Sequence, residues 1–205
     1  MVVHWHKANQ QYLMGAIDQI RYLLQQHVEP FEGMRPVRPP DPTEIIFPEQ
    51  ECSAADALSH IFRLSSFERD ILLLCAGVEL SRPIADLCGK LNGNPMQSYA
   101  TFSLALAIFP EIHWNALTPE APLRRWRLIE VGGGTALTIS PLRIDEQILH
   151  YLMGTPQLDN RLNGVVLPVH AAPIPRQYLP PSYQTVVQDI IETSILASAP
   201  SPSTP

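Results

Sequence analysis

The sequence predicts a mainly α-helical protein with one small antiparallel β-hairpin, set between proline-rich linkers. Three observations predict it. Apolar residues recur at helical spacing through most of the chain. Two short apolar runs flank a triple glycine near residue 133. The 21 prolines concentrate at two places, six between Pro30 and Pro48 and eight between Pro168 and Pro205. Proline fixes φ and lacks an amide donor, so both clusters are expected to be extended linkers rather than packed elements. The expected division is an amphipathic helix in 1–29, a linker in 30–50, a body in 51–164, and a second linker with one helix in 165–205.

From Trp5 to His27, Leu13, Ile17, Ile20 and Leu24 form an apolar stripe that must pack on the body or on a partner. Ser53 caps a helix from Ala54 to Leu64. Ser65-Ser66-Phe67-Glu68-Arg69-Asp70 opens another, with serine at the cap and acids in the first turn. Its continuation ILLLCAGV is apolar over so much of its circumference that it belongs at the centre of the core. Proline opens a short helix, Pro83 to Lys90. LNGNP separates it from the apolar run Thr101 to Phe109, which Pro110 stops. Leu123 to Val131 and Ala136 to Ser140 read as strands, joined by Gly132, Gly133 and Gly134 at positive φ. Asp145 caps a last helix, Glu146 to Met153, with Gly154 behind it. A further helix is expected from Ser182 to Ser198. Helices followed by a two-stranded wing and a helix make a winged-helix pattern.

Composition excludes several classes. Net charge is −6, from 14 Lys and Arg against 20 Asp and Glu, the opposite of the usual nucleic-acid binder. No apolar run reaches the roughly 20 residues that span a bilayer. Three cysteines without CxxC pairing are expected to be reduced thiols of a cytoplasmic protein.

Chemical motifs are sparse. Gly89-Lys90 is followed by Leu91, and Ile84 stands where a phosphate-binding loop needs its first glycine. His4 and His6 are two weak ligands near a terminus, and Cys75 and Cys88 read as small core hydrophobes. No nucleophile elbow is present, and His113 and His150 are the candidate bases for a triad assembled in space. No catalytic, cofactor or metal residue is therefore assigned. Arg124, Arg125 and Arg127 are the candidate partner surface. Strand alternation would place Arg125 and Arg127 on one face and Arg124 with Trp126 on the other. The run Thr101 to Phe109, at the expected recognition position, carries no charged or amide side chain, so sequence-specific readout of nucleic acid is not expected.

Several blocks carry a family resemblance: Phe67-Glu68-Arg69-Asp70-Ile71-Leu72-Leu73-Leu74-Cys75-Ala76, Tyr99-Ala100-Thr101-Phe102, His113-Trp114, and Pro122-Leu123-Arg124-Arg125-Trp126-Arg127-Leu128-Ile129. Pro141-Leu142-Arg143-Ile144-Asp145 and Ile148-Leu149-His150-Tyr151-Leu152 complete the series. Together, over about Ser65 to Gly164, they resemble the N-terminal winged-helix region of bacterial AAA+ ATPases, a group that includes ATPases linked to extracellular contractile injection systems. The resemblance implies a parent protein that binds ATP and Mg²⁺, hydrolyses ATP as a ring oligomer, and remodels or assembles other proteins. The nucleotide machinery of such a parent has no counterpart in these residues. The implied role is a non-catalytic domain that engages a protein partner or neighbouring ATPase subunits, with no membrane contact. A winged-helix DNA-binding regulator is the alternative.

Overall fold

The computed structural model describes residues 2–28, 37–47, 51–134, 136–155, 180 and 182–188. The chain divides into two compact units, Met1–Arg161 and Leu162–Pro205. In the second unit, residues 182–188 are helical, and the amides of Tyr183 and Gln184 donate to the Pro180 carbonyl. The rest of the helix expected to Ser198, and most of both proline-rich segments, lie outside the described residues.

The first unit is mainly helical with a two-stranded antiparallel sheet. Its centre is α3, Ser66–Leu80, in which every residue from Phe67 to Gly77 except Arg69 and Asp70 is buried. The helix begins as a reciprocal cap. The Glu68 amide donates to Ser65 Oγ at 3.2 Å, and the Ser65 amide donates to Glu68 Oε2 at 3.0 Å. Two of the amides that a helix start leaves without partners are thereby satisfied.

Of the two surfaces open to the N-terminal helix, it takes the body. The stripe of α1, Val2–His27, is buried at Leu13, Ile17, Ile20 and Leu24, and packs on α3 and on α4, Arg82–Leu91. The three helices meet at Gly77. A Cβ there would stand 3.0 Å from Ile84 Cδ1 and 3.7 Å from Ile17 Cγ2.

Residues 37–47 differ from the expected free linker. They include a 3-10 turn, Pro42–Glu44, and lie along α1. Gln19 Nε2 donates to the carbonyls of Pro39 and Pro40 at 3.2 and 3.1 Å, and the Phe47 ring meets Tyr12 edge-on. Prolines without amides still accept hydrogen bonds, which is how α1 holds this segment.

Helix α2, Ala54–Phe62, is capped by Ser53 as expected. Thr101 caps α5, Phe102–Ile108, which is buried at Phe102, Leu104, Ala105 and Ile108. The hairpin departs from expectation. Its strands are β1, Ile129–Val131, and β2, Leu142–Ile144, with Ile129 opposite Ile144, Glu130 opposite Arg143 and Val131 opposite Leu142. Ala100 extends the sheet by a bridge to Leu142. Leu123 to Arg125, expected as strand, belong to a one-turn helix, α6, Pro122–Arg125, started by proline and anchored by the Ala121 carbonyl, which accepts from the Arg124 and Arg125 amides. Leu137–Ile139, also expected as strand, is a 3-10 turn within the wing.

Gly132, Gly133 and Gly134 do not supply positive φ; among the described glycines only Gly93 and Gly154 have it. A side chain on Gly132 would instead collide with Pro141, its Cβ only 2.7 Å from Cγ. Helix α7, Glu146–Leu152, closes the unit, with Asp145 Oδ1 accepting from the Gln147 and Ile148 amides.

Candidate interaction surface

The three arginines singled out in the sequence do not share a strand. Arg124 and Arg125 lie on α6, and Arg127 follows it with φ 52°. The alternation that paired Arg125 with Arg127 therefore does not apply. Arg124 has an internal role: its Nη1 donates to the Leu117 carbonyl at 2.7 Å, tying α6 to the 3-10 turn Trp114–Leu117. Arg125 and Arg127 are exposed. The Arg125 guanidinium lies over the Trp126 ring, 5.5 Å from its centroid, a cation–π contact. Trp126 is 55% exposed, yet its other neighbour is fixed, since Phe62 at the end of α2 packs 5.9 Å away, centroid to centroid.

The recognition position also moves. The last helix before the wing is α6, not α5, because Ala100 joins the sheet ahead of α5 and α6 leads directly to β1. A single turn of about 6 Å cannot lie along a major groove as a recognition helix does. On the wing, exposed Glu130 stands opposite exposed Arg143, so that outward pair carries no net charge.

The candidate bases resolve differently. His113 Nε2 lies 3.0 Å from Ser65 Oγ, within reach of a nucleophile–base pair. Ser65 Oγ has a single proton, however, and Glu68 Oε2 takes it at 2.7 Å. The serine then accepts from both the Glu68 amide and His113, so the imidazole is a donor here and cannot draw a proton from the serine. The set fixes the start of α3, with the His113 ring against Phe67. His150 lies on α7, 3.7 Å from Glu146 one turn earlier.

Gly89, beside Lys90, is inside α4, where a Cβ would come within 3.2 Å of Pro95; it serves packing rather than phosphate. Cys75 and Cys88 are buried. Desolvation raises both thiols, Cys88 to about 12, which suppresses the reactive thiolate. Among the described residues no cluster of three His, Cys, Asp or Glu side chains could hold a metal ion. No described helix is long and apolar enough to cross a membrane.

Two features escaped the sequence reading. Tyr12, Asp56 and Arg69 form a polar knot linking α1, α2 and α3. Tyr12 donates to Asp56 at 2.8 Å, and Arg69 Nη2 donates to Tyr12 at 2.6 Å and to Asp56 at 3.2 Å. Burial raises the Tyr12 phenol, a shift that Arg69 opposes. Nearby, burial pushes the Asp70 carboxyl up to about 6, with Arg69 opposing and Glu111 adding to the rise. No residue pattern along the chain marks groups that only tertiary packing brings together.

A family model described as a winged helix domain, variant, matches residues 49–166, more than half of the 205-residue chain. No curated protein and no solved structure matches it.

Proposed function

The chain belongs to the variant winged helix domain family, and from that premise we propose that it is a non-catalytic protein-interaction and regulatory module of a AAA+ ATPase. In this reading it lies on the N-terminal side of a cytoplasmic ring motor that remodels or assembles other proteins. ATP and Mg²⁺ are bound by a separate core, and the assembly of contractile injection machinery is the proposed setting. The observation that carries the interaction reading is the surface at the recognition position. It is one helical turn whose first arginine is tied inward to Leu117, beside a wing whose outward Glu130–Arg143 pair is neutral. That surface is poorly built for a groove and well built for a protein. The ordered blocks from Phe67 to Leu152 support the link to the ATPase group by resemblance.

Removal of residues 1–155 from the parent protein tests this. ATP hydrolysis by the core is expected to persist while action on the protein partner is lost. Unchanged action on that partner would overturn the proposal.

The second reading, a DNA-binding regulator, is favoured by the joint exposure of Arg125 and Arg127. It requires salt-dependent binding to duplex DNA that weakens when both are replaced by alanine. The interaction reading expects no such binding at low salt.

A further inference from the structure

Helices α2 and α6 end in the same way. The Leu64 amide donates to Ser59 O at 2.9 Å and the Arg63 amide to His60 O at 3.4 Å. The Leu128 amide donates to Leu123 O at 2.9 Å and the Arg127 amide to Arg124 O at 3.1 Å. This is the paired closure that places one residue in the left-handed region, a position glycine usually fills. Here Arg63 and Arg127 fill it, at φ 53° and 52°, and they are the two non-glycine residues with positive φ among those described. Each follows an aromatic residue and precedes a leucine: Phe62-Arg63-Leu64 and Trp126-Arg127-Leu128. The two aromatic rings are the ones that pack together.

The consequence is a surface that local stability alone does not explain. Left-handed backbone at a residue with a Cβ is disfavoured, and such strain gathers where a side chain is needed. Arg63, Arg125 and Arg127 are exposed, and none belongs to the ion pairs of the described residues, which involve Arg21, Arg69, Arg82 and His150. In a chain of net charge −6, Arg125 thus lies over the exposed Trp126, while Arg63 and Arg127 each adjoin in the chain one ring of the Phe62–Trp126 pair, without an ion pair among the described residues.

We infer that the paired turns ending α2 and α6 form a docking site for an acidic peptide segment of a partner protein. The arginines take carboxylates and the exposed Trp126 ring takes an apolar side chain. Guanidinium groups suit carboxylates because their planar fork donates two parallel hydrogen bonds. The Phe62–Trp126 packing holds the shelf in place before the peptide arrives, which lowers the entropy lost on binding. A duplex is disfavoured because its phosphates continue past the patch, onto a wing whose outward pair is neutral. This proposal rests on the protein-interaction reading above and names the chemistry of the partner.

Fluorescence anisotropy on the full chain tests it, using a labelled glutamate-rich peptide with one central phenylalanine. The same peptide with lysine for glutamate and a labelled duplex DNA are the comparison probes. The acidic peptide is expected to bind in a salt-dependent manner, and the lysine peptide and the duplex are not. Replacing Arg63→Gly together with Arg127→Gly is expected to weaken binding about tenfold or more while raising Tm, because glycine relieves the backbone as it removes the charge. Arg125→Ala, on unstrained helix, provides a second reading of the charge and is also expected to weaken binding. Equal affinity in all three proteins, no binding of the acidic peptide, or tighter binding of the duplex would each overturn the proposal. The deletion experiment on the parent protein is independent. A domain that couples the motor to its partner yet ignores the acidic peptide would refute this site and leave the interaction reading standing.

Discussion

Asp70 shows how a single residue sets a pH dependence. Its carboxyl, at about 6 in the folded chain, lies above the ordinary carboxylate value because burial disfavours the charge. The folded state therefore holds this proton more tightly than the unfolded state. The associated stabilisation is fully present below the unfolded value and is lost as pH rises through about 6. Asp70→Asn is accordingly expected to stabilise the protein at neutral pH by roughly 1–3 kcal/mol and to flatten its stability between about pH 4 and 6. Urea denaturation at several pH values measures both; an unchanged pH profile would show that Asp70 is not the group responsible. At the same scale, serine and acid spacing made the caps at Ser53, Ser65 and Asp145 legible in the sequence. The left-handed arginines were not, because the local mark of such a turn is glycine and none is present. The repeated aromatic-Arg-Leu tripeptide is the sequence signal that could have found them.

Among the elements, α1 is part of the core rather than an attachment. Leu13, Ile17, Ile20 and Leu24 are 3% exposed or less, against α3 and α4. Ile17→Ala is expected to cost about 2–5 kcal/mol, as deletion of buried apolar atoms generally does. Gly77→Leu is expected to cost roughly 1–3 kcal/mol or more by overpacking the junction of the three helices. A fragment limited to the family-matched residues 49–166 exposes the α1-facing side of α3 and should lose cooperative thermal unfolding. Cooperative melting of that fragment at the Tm of the full chain would refute the assignment of α1 to the core. Periodicity made α1 and α3 readable because apolar residues at helical spacing admit one orientation. It misled at Leu123 to Leu128, where Leu-Arg-Arg-Trp-Arg-Leu fits a strand as well as a turn of helix. Proline at the first turn and the closure onto Leu128 decide for helix, and the second depends on Leu123 and Leu128 both being buried. The wing likewise moved, since its true second strand, Leu142–Ile144, gains the bridge to Ala100, a contact 42 positions distant that no local pattern announces.

Across the molecule, the winged helix carries the surface on which the proposed interaction depends. Its core blocks were legible in the sequence, and so was the winged-helix domain they form. The surface was less so, because Arg124 is spent on Leu117, while the Phe62–Trp126 contact, distant along the chain, is what brings the turn at Arg63 toward the turn at Arg127. The fold supplies no phosphate-binding loop at Gly89-Lys90 and sets Ser65 and His113 to capping. The proposed function places the energy source in another domain of the same polypeptide. Sequencing the source gene beyond the Pro205 codon tests that most directly. The frame is expected to continue into a strand followed by GxxxxGK[ST], the glycine-rich loop of a nucleotide-binding core. A stop codon directly after Pro205 would contradict it, leaving a free-standing winged-helix protein with no motor to serve.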